Sequence, residues 1–146
     1  MLRKRFENKI VLITGGANGL GRGMAEQYLK EGAKLAIFDI EDDTMEQVYG
    51  GMEGVFCLHC DVRSYDEVQA SVKRVIEHYG HIDILMNNAG IVHRASFLEC
   101  SQEGWLDVMA TNLNGCFYVG QAVARTMVEK LSLIHISEPT RRVVIS

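Results

Sequence analysis

Proline is nearly missing from this chain of 146 residues: the only one, Pro139, stands close to the C-terminal end. No Pro- or Ser-rich stretch divides the chain, and at ~150 residues per domain its length leaves room for one core and no second. A basic excess is missing too. With 15 Lys and Arg against 19 Asp and Glu, the net charge of -4 argues against the basic surface that nucleic-acid binding requires. The cluster Arg3, Lys4, Arg5 reads as a short solvated patch. The apolar run behind it, 10–13, breaks at Thr14-Gly15-Gly16 and is too short for the core of a signal peptide. No run approaches the ~18 apolar residues of a membrane span. The expectation is a cytoplasmic protein with neither a nucleic-acid nor a membrane partner.

Cysteine is sparse, with four residues, Cys57, Cys60, Cys100 and Cys116. Cys57-Leu58-His59-Cys60 has metal-like spacing, but the run 55–60 reads as a strand. Residues three apart in a strand point to opposite faces, so the two sulfurs cannot share a ligand. Buried apolar thiols are expected, and no metal site.

What is present is an alternation of short apolar runs with helical patterns, the signature of a parallel sheet flanked by helices. Residues 9–14 (KIVLIT) form the expected first strand. Leu20, Met24, Ala25, Tyr28 and Leu29 fall at helical spacing, and Gly32 is a stop signal just beyond. A second strand is expected at 34–40, a short helix with an acidic start at 41–50, and a third strand at 55–60. Ser64 and Glu67 match a capping box that opens a helix with Val68, Val72, Val75, Ile76 and Tyr79 as its core stripe. Gly80 ends it, and 82–86 is the fourth strand. Ser101 caps a long fourth helix running to about Lys130. Its expected buried side is Trp105, Met109, Leu113, Cys116, Gly120, Val123 and Met127, with Asn112, Asn114 and Gly115 weakening its middle. The fold class is therefore α/β, a doubly wound parallel sheet with strand order 3-2-1-4. The first strand is central, and a ligand belongs at the turn after it.

That turn carries the strongest chemical signal. Gly15, Gly19 and Gly21 lie between a strand and a helix in Thr14-Gly15-Gly16-Ala17-Asn18-Gly19-Leu20-Gly21. A pyrophosphate needs free backbone N–H groups at a helix N-terminus and no Cβ in the way, and glycine there supplies both. Asp39 closes the second strand, where a dinucleotide fold places an acid on the adenosine ribose. A carboxylate there accepts from both ribose hydroxyls and repels a 2′-phosphate, which favours NAD. The alternative role for Asp39 is to cap the next helix.

Together with Asp61-Val62, Asn87-Asn88-Ala89-Gly90 and Asn112, these residues resemble the short-chain dehydrogenase/reductase family over residues 6–130. The resemblance implies a Rossmann-like, NAD-binding half-domain, a small-molecule alcohol or ketone substrate and a homo-oligomeric parent. It implies that Gly15, Asn18, Gly19, Leu20 and Gly21 shape the pyrophosphate turn, and that Asp61 and Val62 border the adenine. Asn87, Asn88, Ala89 and Gly90 would end the fourth strand beside the inner ribose. Asn112 would bend the long helix so that its main-chain carbonyl joins a proton relay. The segment 87–99 (NNAGIVHRASFLE) resembles members acting on sugar acids and polyols, with Arg94 placed to meet a substrate carboxylate.

The family moves the alcohol proton with a Tyr acidified by a Lys four residues later, aided by a Ser. No Tyr-x-x-x-Lys occurs here: Tyr28, Tyr49, Tyr65, Tyr79 and Tyr118 are followed at the fourth position by Gly32, Glu53, Gln69, Asp83 and Ala122. Residues 131–141 (LSLIHISEPTR) resemble the translation of a transposase-end sequencing adapter, which makes 1–130 a partial cofactor domain and 131–146 a non-native tail. That tail contains an alternating run at 133–136, and 132–137 is expected to pair as a pseudo fifth strand on the open edge, with Ser137 near the crevice. Two readings of function follow. One is a fragment of an NAD-dependent oxidoreductase acting on a secondary alcohol or ketone, a sugar acid or polyol enzyme, with a 3-oxoacyl-[acyl-carrier-protein] reductase or hydroxysteroid dehydrogenase parent as alternatives. The other is a catalytically inert NAD-binding module. A response-regulator or flavodoxin-like domain shares the topology but leaves the glycine turn and Asp39 unexplained.

Overall fold

The computed structural model describes residues 4–137, with side chains through residue 132; residues 1–3 and 138–146, including Pro139 and Arg141, lie outside the described residues. The elements run β1 Ile10–Thr14, α1 Gly19–Lys30, β2 Lys34–Asp39, α2 Asp42–Tyr49, β3 Val55–His59, α3 Tyr65–Tyr79, β4 Ile84–Met86 and α4 Gln102–Val108. A π-helical stretch, Met109–Gly115, then leads into α5, Cys116–Ser137. The strands form one parallel sheet in the order β3-β2-β1-β4, as the alternation requires. Each strand start and end agrees with the expectation to within two residues.

β1 is central, and all five of its residues are buried. Side-chain alternation sorts the sheet into two cores. Leu12, Ala36, Phe38 and Leu58 face α3 and α5. Val11, Ile13, Leu35 and Ile37 face α1 and α2. The cysteines follow the same rule: Cys60 lies in the first core and Cys57 packs against the second. Burial pushes both thiols up to about 11. No helix among the described residues is long and apolar enough to cross a membrane.

Helix ends are set by local chemistry. Ser64 Oγ accepts from Glu67 N at 3.3 Å, but the Glu67 carboxylate accepts from Asp61 N at 2.9 Å instead of Ser64 N, so only half of the capping box forms. Gly80 closes α3 in the left-handed region at φ 86°. Ser101 caps α4 through Gly104 N at 3.0 Å.

Three expectations are corrected. The long fourth helix is not continuous α-helix, because a π-helical stretch occupies the weak segment around Asn112. Its buried side is Gly104, Thr111, Gly115, Val119, Ala122 and Val123, whereas Trp105, Leu113 and Cys116 are exposed. The contact face uses glycine because neighbours come close: a Cβ on Gly115 would lie 2.7 Å from Val62 Cγ2, and one on Gly104 would lie 2.5 Å from His93 Nε2. Finally, 132–137 belongs to α5 and forms no fifth strand, and Ser137 ends a helix instead of an edge strand. A helix already formed adds residues without repeating the nucleation cost, and no proline intervenes before 139.

Candidate functional site

The ends of β1, β2 and β4 converge on a groove of about 610 Å³ that opens beside the N-terminus of α1. Gly15, Asn18, Gly19, Leu20, Asp39, Asp61, Val62, Asn88, Ala89 and Gly90 all line it, so the structure brings together nearly every residue singled out in the sequence. Gly21 lies just behind the turn. A Cβ there would fall 2.0 Å from Gly15 O, so this glycine lets the helix start pack onto the turn. Gly19 has the opposite reason. Nothing lies within 4 Å of its Cβ position, and its φ of +54° is what favours glycine there. The first turn of α1 leaves its N–H groups unsatisfied by the helix, and Gly19 and Leu20 of that turn line this groove.

The turn is stitched to the neighbouring strand by a buried hydroxyl. Thr14 Oγ1 accepts from Asn88 N at 3.0 Å and from Ala89 N at 2.9 Å. The Asn88 side chain returns the contact, donating to Thr14 O at 3.1 Å and Gly15 O at 3.2 Å. Asn87 reaches the other way, from Nδ2 to Cys116 O at 2.7 Å, and ties the end of β4 to the start of α5.

Asp39 is heavily engaged. Its Oδ2 accepts from Ala17 N at 2.9 Å, and its Oδ1 accepts from Ile40 N at 2.8 Å and Glu41 N at 3.1 Å. A carboxylate offers about four acceptor positions, so one remains for a ligand. Asn18 donates from its side chain to the Glu41 carboxylate across the same rim. At the far wall, the Arg63 guanidinium paired with Asp61 at 2.6 Å holds that carboxyl below the usual carboxylate range.

Asn112 ties its side chain to the loop after β4. Its Oδ1 accepts from Ile91 N at 2.8 Å and its Nδ2 donates to Ile91 O at 2.9 Å. Ile91 also joins the first groove to a second one, of about 920 Å³, lined by Val92, His93, Phe97, Trp105 and Asn112 among others. Arg94 is exposed on the same loop and lines neither groove. The sequence reading passed over the Thr14 hydroxyl, the buried Tyr49 and His93. The first had a signal, since a threonine at a strand end before glycines offers an acceptor to the next strand; Tyr49 acts across 33 residues and had none, and His93 lines its groove from a loop with no periodic pattern.

The site fits a dinucleotide. A helix N-terminus with an open glycine would meet the phosphates, and Asp39, with a spare acceptor, would face a ribose.

Comparison with known proteins gives the class. The short chain dehydrogenase family model matches residues 9–137, and the chain belongs to that family. It is 37% identical over 132 residues to tropinone reductase-like 2 of Erythroxylum coca, covering 87% of this chain and 48% of that protein. It is 37% identical over 122 residues to 2-dehydro-3-deoxy-D-gluconate 5-dehydrogenase of Escherichia coli, covering 82% of this chain and 48% of that one. Among solved structures, a short-chain dehydrogenase/reductase described as a glucose/ribitol dehydrogenase from Brucella melitensis superposes with a TM-score of 0.80 at 29% identity. That likeness covers 86% of this chain and 55% of the other. The chain spans about half the length of the curated relatives it matches.

Proposed function

We propose that this chain is the NAD-binding part of a cytoplasmic, homo-oligomeric oxidoreductase that moves hydride between a nicotinamide and a secondary alcohol or ketone. The observation that carries this reading is the groove that Gly19, at the start of α1, and Asp39, at the end of β2, line together. The N–H groups of the first turn of α1 hold the pyrophosphate, Asp39 takes the adenosine ribose, and Asp61 and Val62 border the adenine. Asn88, Ala89 and Gly90 line the inner ribose. A bound nicotinamide dinucleotide supplies or accepts the hydride. Asn112 fixes the loop between the two grooves, which is where a substrate must meet the nicotinamide end.

The substrate is a sugar acid or polyol, a reading supported by the names of the gluconate-type and glucose/ribitol relatives. Arg94, exposed next to the groove-lining His93, is the proposed partner of a substrate carboxylate. No Tyr-x-x-x-Lys is present, so this chain binds NAD and turns nothing over; a missing general acid/base removes a factor of about 10² to 10⁴. Residues 131–146 are a non-native tail, a reading that sequencing of genomic DNA past codon 130 tests directly.

Calorimetric titration of the chain with NADH and NADPH tests the assignment. Saturable NADH binding is expected, with no turnover of any secondary alcohol. Failure to bind either dinucleotide removes the cofactor reading, and stereospecific turnover removes the inert one.

A further inference from the structure

The Gly16–Ala17 peptide is held at both ends by groups that lie outside the glycine turn. Its N–H donates to Asp39 Oδ2 at 2.9 Å, and its carbonyl accepts from the Tyr49 hydroxyl at 2.7 Å. Tyr49 sits at the end of α2, and is 3% exposed. Gly16 itself packs closely on β2, where a Cβ would fall 2.7 Å from Ile37 Cγ2.

We infer that Tyr49 is a positioning residue for the dinucleotide pyrophosphate: its hydroxyl, with Asp39, fixes the plane of the Gly16–Ala17 peptide and so aims the N–H groups that follow it. This peptide leads directly into Asn18, Gly19 and Leu20, which carry the next backbone donors and line the groove. Without the hydroxyl, Gly16 O has no partner in a dry site. A buried unpaired carbonyl is costly, and turning the plane toward water relieves it only by taking Ala17 N–H away from Asp39. Burial pushes the Tyr49 phenol up to about 12, so it remains a neutral donor across the working pH range. This inference rests on the dinucleotide reading of the groove.

Tyr49→Phe tests it, because the ring packing stays and only the hydroxyl goes. Calorimetry on the full chain is run with NADH, ADP and adenosine, beside a thermal melt and at a temperature where both proteins are folded. The dissociation constants for NADH and ADP are expected to rise about five- to tenfold, the loss of roughly one hydrogen bond, with that for adenosine unchanged. A lowered melting temperature with unchanged NADH and ADP affinity shows a purely structural hydroxyl and overturns the inference. So does an equal loss for adenosine. A wild-type chain that takes up no NADH fails the groove itself, a distinguishable result. If Tyr49→Phe does not fold, amide exchange in the wild type decides: Ala17 N–H must exchange as slowly as the β1 amides, and exchange at the rate of exposed loops overturns the clamp.

Discussion

Asn112 pairs with Ile91 as one strand pairs with another, its amide oxygen accepting from Ile91 N at 2.8 Å and its amide nitrogen donating to Ile91 O at 2.9 Å. This reciprocal bond holds the loop after β4 against the π-helical stretch. It also accounts for Gly90, where a Cβ would lie 3.3 Å from Asn112 Oδ1. Asn112→Ala is expected to cost about 1–2 kcal/mol by chemical denaturation, since two partly solvated hydrogen bonds are lost. Asn112→Asp keeps the acceptor but sets a charge against Ile91 O, and is expected to cost at least as much. In both variants, hydrogen exchange across 90–98 accelerates while β1 is unaffected; uniform acceleration contradicts the local role.

The Thr14 hydroxyl satisfies two N–H groups at once, those of Asn88 and Ala89, in a fully buried position. Thr14→Val preserves shape and leaves both donors orphaned, at a predicted cost of about 2–4 kcal/mol. Thr14→Ser retains the hydroxyl and loses a methyl, about 1 kcal/mol. Urea midpoints order the two variants, and equal destabilisation defeats the argument.

At the opposite end of the sheet, Asp83 accepts from Ile10 N at 2.8 Å and lies 3.0 Å from His81 Nε2 and 3.7 Å from Lys130 Nζ. Burial resists its ionisation, but the Ile10 N–H and the charges of His81, Lys130 and Lys9 outweigh it and hold the carboxyl below its ordinary 3.8. A group whose folded pKa is depressed stabilises the fold above its unfolded value. That contribution is lost as pH falls through the lower folded value. The stability gap between wild type and Asp83→Asn is therefore expected to be fully present at pH 5 and to close as the pH falls below about 4. A gap that persists at pH 2 rules this out.

How much of this was legible in the sequence depends on the range of the contact. The glycine turn, the strand order and the acid at 39 are local patterns, and they lie in the structure where the spacing put them. Tyr49 reaches Gly16 across 33 residues, and no periodicity encodes that. The buried side was placed correctly at Val123 of α5 but misjudged at Trp105, Leu113 and Cys116, because the close approaches there are made by Gly104 and Gly115. The alternating run at 133–136 has strand character, yet it continues a helix that precedes it.

Asp39 connects the clamp on the glycine turn to cofactor choice, and its substitutions separate the two. At an effective dielectric near 20, its charge disfavours a 2′-phosphate by a few kcal/mol at most, so NADH is expected to bind about 10- to 100-fold tighter than NADPH. Asp39→Asn removes the charge but keeps an amide oxygen that can accept from Ala17 N. It is expected to narrow the NADH/NADPH ratio to near unity with NADH affinity reduced only a few-fold. Asp39→Ala removes the acceptor as well and frees the Gly16–Ala17 peptide at its N–H end. It is expected to weaken both dinucleotides, about tenfold for NADH, while leaving the ratio where Asp39→Asn puts it. Parallel calorimetric titrations of the three proteins give the answer. If Asp39→Asn leaves the ratio unchanged, the charge does not select the cofactor. If Asp39→Ala binds NADH as tightly as Asp39→Asn does, the bond to Ala17 does not hold the turn.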